Sequence, residues 1–145
     1  MKFTFIWRGI PRGQERPRFG GTVYKSAEAK AYENEIALAY RTAVSGSCKP
    51  LTCPLGISII AGYPIPRSDT KAAKEQKRAG VILPTVKPDV DNVAKAVLDA
   101  LNRLAFDDDK QVAHLAVSKV YADHPGIIIT IYTGEELRKL LEVTA

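Results

Sequence analysis

Between Lys87 and Val112 the chain reads KPDVDNVAKAVLDALNRLAFDDDKQV, with five aspartates at the two ends of one short amphipathic segment. Asp89 and Asp91 precede it, and Asp107, Asp108 and Asp109 follow it. Any fold must let this segment bury its apolar stripe while holding both acidic ends in water or against a cation. The whole chain has a net charge of +5, yet this much clustered negative charge is costly unless something neutralises it. Divalent cations on a nucleic acid phosphate would do so.

Val93, Val97, Ala100, Leu101 and Leu104 recur at intervals of three and four, which predicts a helix over Asn92 to Leu104. Asp91 is placed to cap it, and Pro88 biases Lys87 away from helical geometry. Asp89 and Asp91 alternate along the extended approach, so their side chains can point the same way. Lys95 lies one turn beyond Asp91, within reach of a phosphate or of an attacking water. Asp99 lies one turn beyond Lys95, and an internal Asp–Lys pair is its plain structural explanation. An EF-hand is excluded, because Ala94 stands where that loop needs glycine and Ala100 where it needs glutamate.

Charge is divided along the chain. Residues 1–87 hold 15 Lys and Arg against 6 Asp and Glu, a balance of +9, and residues 88–145 hold 6 against 10, a balance of −4. Cations to grip a polyanion and carboxylates to grip a metal suit an enzyme acting on nucleic acid. The basic half concentrates its arginines in RGIPRGQERPRFGG, where Gly and Pro exclude a helix and Arg12, Arg16 and Arg18 project from a loop. A second basic segment, Arg67 to Gly80, places Lys71, Lys74 and Lys77 at helical spacing, either as a solvated helix or as a second DNA-contacting element.

The remaining pattern predicts a strand over Lys2 to Trp7, a helix from Ser26 to Val44 with Ser26 as N-cap, and a buried strand from Leu55 to Tyr63. Val112 to Tyr121 and Ile127 to Tyr132 read as a hairpin across Asp-His-Pro-Gly, and Glu135 to Glu142 as a short last helix. Trp7 at a strand end suits the core better than base stacking, a role Phe19 and Tyr24 share as candidates. His114 and His124 lack a partnered Ser or Cys and read as structural. Cys48 and Cys53 cannot build a four-ligand zinc site alone and read as reduced thiols. At 145 residues the chain is expected to be one domain of α+β class, a mixed sheet of about four strands flanked by helices. No apolar run is long enough to span a bilayer and no signal peptide is evident, so a cytoplasmic location is expected.

Asp89-Val90-Asp91-Asn92, then Lys95, then Asp99-Ala100-Leu101, then Asp108-Asp109-Lys110-Gln111-Val112 resembles the signature of the RusA family of Holliday junction resolvases, many of them encoded by phages or prophages. Arg16-Pro17-Arg18, Val23-Tyr24 and Pro64-Ile65-Pro66-Arg67 are similar to that family's longer members. The resemblance implies a magnesium-dependent endodeoxyribonuclease, with manganese a possible substitute, that resolves four-way junctions in recombination and repair. It implies Asp89, Asp91 and Asp109 as metal-binding catalytic carboxylates, Asp108 as an accessory ligand and Lys95 as the essential basic residue beside them. Where some members place a basic residue directly before the first aspartate, this chain has Pro88, with Lys87 one position earlier. Arg12, Arg16, Arg18, Lys71, Lys74 and Lys87 are the candidate DNA contacts. A non-catalytic binder of branched or single-stranded DNA is the alternative, and an RNA-directed hydrolase a third reading.

A helix unbroken from Asp91 to Leu104 would rise about 20 Å, and five residues can return at most about 17 Å. Asp109 therefore reaches Asp91 only if the helix stops near Leu101, or if a carboxylate crosses a dimer interface. Both versions favour a two-fold homodimer for a substrate cut twice symmetrically.

Overall fold

The computed structural model describes residues 1–14, 18–19, 23–46 and 48–142, with only the backbone of 18–19 and 23–24. The central strand is β4, Leu55–Pro64, whose run of Leu, Ile and Ala is buried along nearly its whole length. Such a strand needs neighbours on both sides. It receives β6, Gly126–Thr133, antiparallel on one side, and β5, Val112–Ala122, parallel on the other. β1, Lys2–Arg8, adds antiparallel to β6 and completes a mixed sheet of order β1-β6-β4-β5. A separate two-stranded ladder pairs β2, Arg18–Phe19, with β3, Val23–Tyr24.

One face of the sheet carries Phe5, Ile129, Ile59 and Val117 in register across all four strands. Two helices cover that face. α1, Ala27–Val44, starts where Ser26 Oγ accepts the Ala29 N–H at 3.1 Å and packs Tyr32, Ile36 and Tyr40 inward at helical spacing. Tyr40 meets Phe5 edge to face with ring centroids 5.4 Å apart, and Tyr32 meets Trp7 at 5.0 Å. α3, Val90–Leu101, buries Val93, Val97 and Leu101. On the opposite face α4, Gly134–Glu142, sets Leu137 over Gly56. α2, Lys71–Arg78, has no buried residue and lies along β5 at the sheet edge. The expected α+β class with a four-stranded mixed sheet is thus observed.

The extent of α3 and the pairing of β5 with β6 differ from expectation. α3 begins two residues earlier and ends three earlier than its apolar period suggested, with Asn102 extended and Arg103 left-handed at φ 63°. Leu104 continues the period because it packs on the same core from the turn beyond the helix. The expected hairpin is absent: β5 and β6 run antiparallel, but β4 lies between them. Residues 123–125 span two strand spacings, roughly 10 Å, which three residues can cover. Gly62 makes room for this crossover, since a Cβ there would lie 3.0 Å from that of Ala122. Turn composition is a local signal and carries no information about a third strand inserted from elsewhere in the chain.

Candidate functional site

Asp89, rather than Asp91, is the N-cap of α3, and its side chain makes no capping hydrogen bond. Its backbone carbonyl accepts the Val93 N–H at 3.0 Å, leaving the carboxylate exposed. Asp91 falls in the first turn, also exposed, where the positive end of the helix favours an anion. Lys95 is exposed one turn on and has no ion-pair partner among the described residues. The expected Lys95–Asp99 pair is replaced. Asp99 Oδ2 instead accepts from Gln14 Nε2 at 2.7 Å and Lys25 Nζ at 3.2 Å, so Lys95 is left open beside Asp91.

The approach to this site is fixed from below. The Tyr63 hydroxyl, at the end of β4, donates to the Pro88 carbonyl at 2.6 Å, and the Lys87–Pro88 bond is cis. Burial pushes the Tyr63 phenol up to about 12, helped by the charges of Tyr32 and Asp89, so the donor keeps its proton. Lys119 donates to the Val86 carbonyl and lies over the Tyr63 ring at 5.0 Å. Lys87 itself is exposed.

The start of the arginine-bearing segment, up to Gln14, packs on the same helix end. Gln14 N–H donates to the Asn92 carbonyl at 3.2 Å. Gly13 is wedged so closely that a Cβ would lie 3.0 Å from those of both Pro88 and Asn92. Arg12 donates its N–H to the Tyr32 hydroxyl at 3.1 Å, and its guanidinium stands 3.8 Å from Glu28. Arg16 lies outside the described residues, as do the side chains of Arg18, Phe19 and Tyr24. Lys71 and Lys74 sit on α2, beyond the same end of β4. Trp7 is core, with its indole N–H 3.3 Å from Glu35.

Asp108 and Asp109 are elsewhere. Asp108 Oδ1 accepts the Lys110 N–H at 2.9 Å, and the Gln111 side chain returns to the Asp108 N–H, closing a capping box over the 3-10 turn Asp109–Gln111. The Lys110 N–H holds the Asp108 carboxyl below its ordinary range, with help from Asp109 and the charges of Lys110 and Arg103. Gln111 also donates to the carbonyls of Leu51 and Cys53, which anchors this turn at the start of β4. Asp89 is tied to the Tyr63 end of β4, and Tyr63 lies eight residues from Leu55, about 26 Å along the strand. α3 does stop at Leu101, but within the chain the two acidic pairs still lie toward opposite ends of β4. Among the described residues no three His, Cys, Asp or Glu side chains are grouped to hold a metal.

Asp89 and Asp91 remain a hard, oxygen-only pair with no competing side-chain bonds among the described residues. That donor chemistry fits magnesium, which takes one or two carboxylates and fills its shell with water and phosphate. Sequence reasoning missed Tyr63, Gln14, Lys25 and Lys119, whose contributions depend on contacts between distant segments and leave no local motif.

No helix among the described residues is long and apolar enough to cross a membrane. The sequence matches the family described as Endodeoxyribonuclease RusA over residues 9–132. It is 37% identical over 141 residues to a Bacillus subtilis (strain 168) protein described as "Uncharacterized protein YqaN", covering 90% of this chain and 94% of that one. With its Asp89-x-Asp91 pair, the open Lys95 and the arginine-bearing segment all within the matched span, the chain belongs to the RusA endodeoxyribonuclease family.

Proposed function

We propose that the protein is a magnesium-dependent endodeoxyribonuclease that resolves four-way DNA junctions by paired symmetric nicks, acting as a homodimer. The observation that carries this reading is the start of α3, where Asp89, Asp91 and Lys95 are all exposed without partners among the described residues, next to the point where Gln14 joins Asn92.

Asp89 and Asp91 would hold the metal, which when bound lowers the pKa of a water and offsets charge on the scissile phosphate. The rest falls to the chain itself. Lys95 orients the attacking water or neutralises negative charge that develops on the phosphate oxygens. Tyr63 keeps the Asp89 backbone in place through Pro88. Arg12, Arg16, Arg18, Lys71, Lys74 and Lys87 hold the DNA backbone, which supplies affinity and register but little sequence information.

The separation of the two acidic pairs supports a site shared between subunits. A two-fold axis that sets the start of one β4 against the end of the other would bring the partner subunit's Asp108 and the partner subunit's Asp109 to Asp89 and Asp91. Two such sites per dimer match two symmetric cuts. Asp108 would act chiefly as the cap that orients its turn, leaving Asp109 as the donated carboxylate.

Replacing Asp91 with Asn tests the enzymatic reading against a purely DNA-binding one. The variant should bind a four-way junction with unchanged affinity and lose magnesium-dependent nicking. A wild-type protein that binds junctions and never nicks them would favour the binder, and preferential cleavage of RNA would favour an RNA-directed hydrolase.

A further inference from the structure

α2 is held in an unusual way for a helix with no buried residue. Thr70 Oγ1 caps it by accepting the Ala73 N–H at 3.2 Å. Lys77 pairs with Asp69 and lies over the Tyr121 ring at 4.6 Å. Arg78 Nε meets both carboxylate oxygens of Asp123, at 2.9 and 3.1 Å. Polar links therefore fix α2 to β5 and to the β5–β6 crossover, and they use the nearby anions Asp69 and Asp123 to do it.

What remains is a convergence of positive charge. Pro64, Ile65, Arg67, Lys74, Arg78 and Asp123 line a cavity of about 270 Å³. Arg67 and Lys74 have no ion-pair partner among the described residues, and Arg78 engages Asp123 through Nε alone, which leaves its two terminal nitrogens as donors. Three cations line the cavity against one carboxylate, which Arg78 already engages. Lys74 is half-buried at this lining, so an anion entering the cavity would meet its ammonium. A tetrahedral phosphate, with a fork of arginine donors and a lysine point charge, matches this lining.

Position assigns the phosphate to DNA. Pro64, which lines the cavity, directly follows Tyr63, whose hydroxyl donates to the carbonyl of Pro88, the residue before Asp89. We propose that this cavity is a phosphodiester-binding site, which grips the backbone of the cut strand beyond the reacting phosphate. The inference rests on the nuclease reading above and adds Arg67 and Arg78 to the DNA contacts, with Asp123 as the residue that positions Arg78.

The test is binding of a labelled four-way DNA junction at several salt concentrations, with chelator present so that no strand is cut. The probes are wild type, the double variant Arg67→Gln/Lys74→Gln, the single variant Lys74→Gln, and Arg138→Gln on α4 as a matched removal of charge. The double variant should bind about ten-fold more weakly, and its slope of log K against log salt should flatten by up to about 2, or about 0.9 for each phosphate that is no longer neutralised. Lys74→Gln should show about half that flattening, and Arg138→Gln none. Melting temperatures unchanged from wild type would show that the variants fold. An unaltered slope in the double variant, or an equal weakening in Arg138→Gln, would overturn the proposal. So would an effect seen with double-stranded RNA and absent with DNA. If wild type cuts no junction while the pocket variants still flatten the slope, the nuclease reading fails and the phosphate site stands.

Discussion

Gln14 Nε2 donates to Asp99 Oδ2 at 2.7 Å, joining the start of the basic loop to the helix that carries the Asp89–Asp91 pair. Lys25, on the other side of residues 15–24 in sequence, reaches the same oxygen at 3.2 Å and also pairs with Glu33. Asp99 thus ties both flanks of the arginine segment to α3. Asp99→Ala should cost about 1 kcal/mol of stability, the scale of a partly exposed polar network, and should weaken junction binding several-fold. Asp99→Asn, which can still accept from Gln14, should recover most of the binding. Equal binding by wild type and both variants in a titration would remove the tie from the account of DNA recognition.

The same network gives alkaline unfolding a specific shape. Burial alone would lower the Lys25 pKa, but hydrogen bonds to Glu33 and Asp99 outweigh it and raise the ammonium above 10.5. The folded value lies above the unfolded one, so this stabilisation is complete below about pH 10.5 and fades as pH climbs through the folded value. Denaturant midpoints measured across the alkaline range should fall for wild type, and fall less steeply for Lys25→Met.

At the acid end, Asp108 has a depressed pKa, so whatever it contributes is present above the ordinary 3.8 and lost as pH drops through its lower folded value. Carboxyl NMR titration should place its midpoint below 3.8. Asp108→Asn should keep the capping geometry partly intact, because an Asn oxygen can still accept the Lys110 N–H.

Tyr63→Phe removes the donor to the Pro88 carbonyl with little change in shape. It should destabilise the fold by about 1 kcal/mol and lower the nicking rate more than the junction affinity, since it acts on the Asp89 backbone rather than on DNA. In a difference ultraviolet titration of wild type against Tyr63→Phe, the additional phenol should ionise only near pH 12. A variant with a normal rate at saturating junction would exclude a positioning role for this hydroxyl.

Much of the fold was legible because it is written in periodicity. The 3.6-residue pattern of α1 and the apolar run of β4 depend on neighbours close in sequence, and both elements fall within a residue of expectation at each end. The hairpin misled because residues 123–126 have turn composition whether or not β4 lies between the strands they join. The exposure of Asp89, Asp91 and Lys95 around the start of α3 was readable from their spacing against the apolar stripe. The position of Asp109 was not, because it depends on which end of β4 receives Gln111. Asp99 was misassigned for the same reason. Lys95 is its neighbour in sequence, but Lys25 and Gln14 are its neighbours in space.

Mixing two inactive proteins decides whether the acidic pairs meet across a dimer. Asp91→Asn and Asp109→Asn, each unable to nick alone, should regain activity when unfolded together and refolded as a mixture. In a shared-site dimer the mixed pair places both lesions in one site and leaves the other intact. Half the dimers should then carry one working site, giving about a quarter of wild-type nicking, with single nicks in place of paired cuts. A mixture as inactive as its components, from subunits shown by size to have exchanged, would contradict the shared site and with it the proposed arrangement of Asp89, Asp91 and the partner subunit's Asp109.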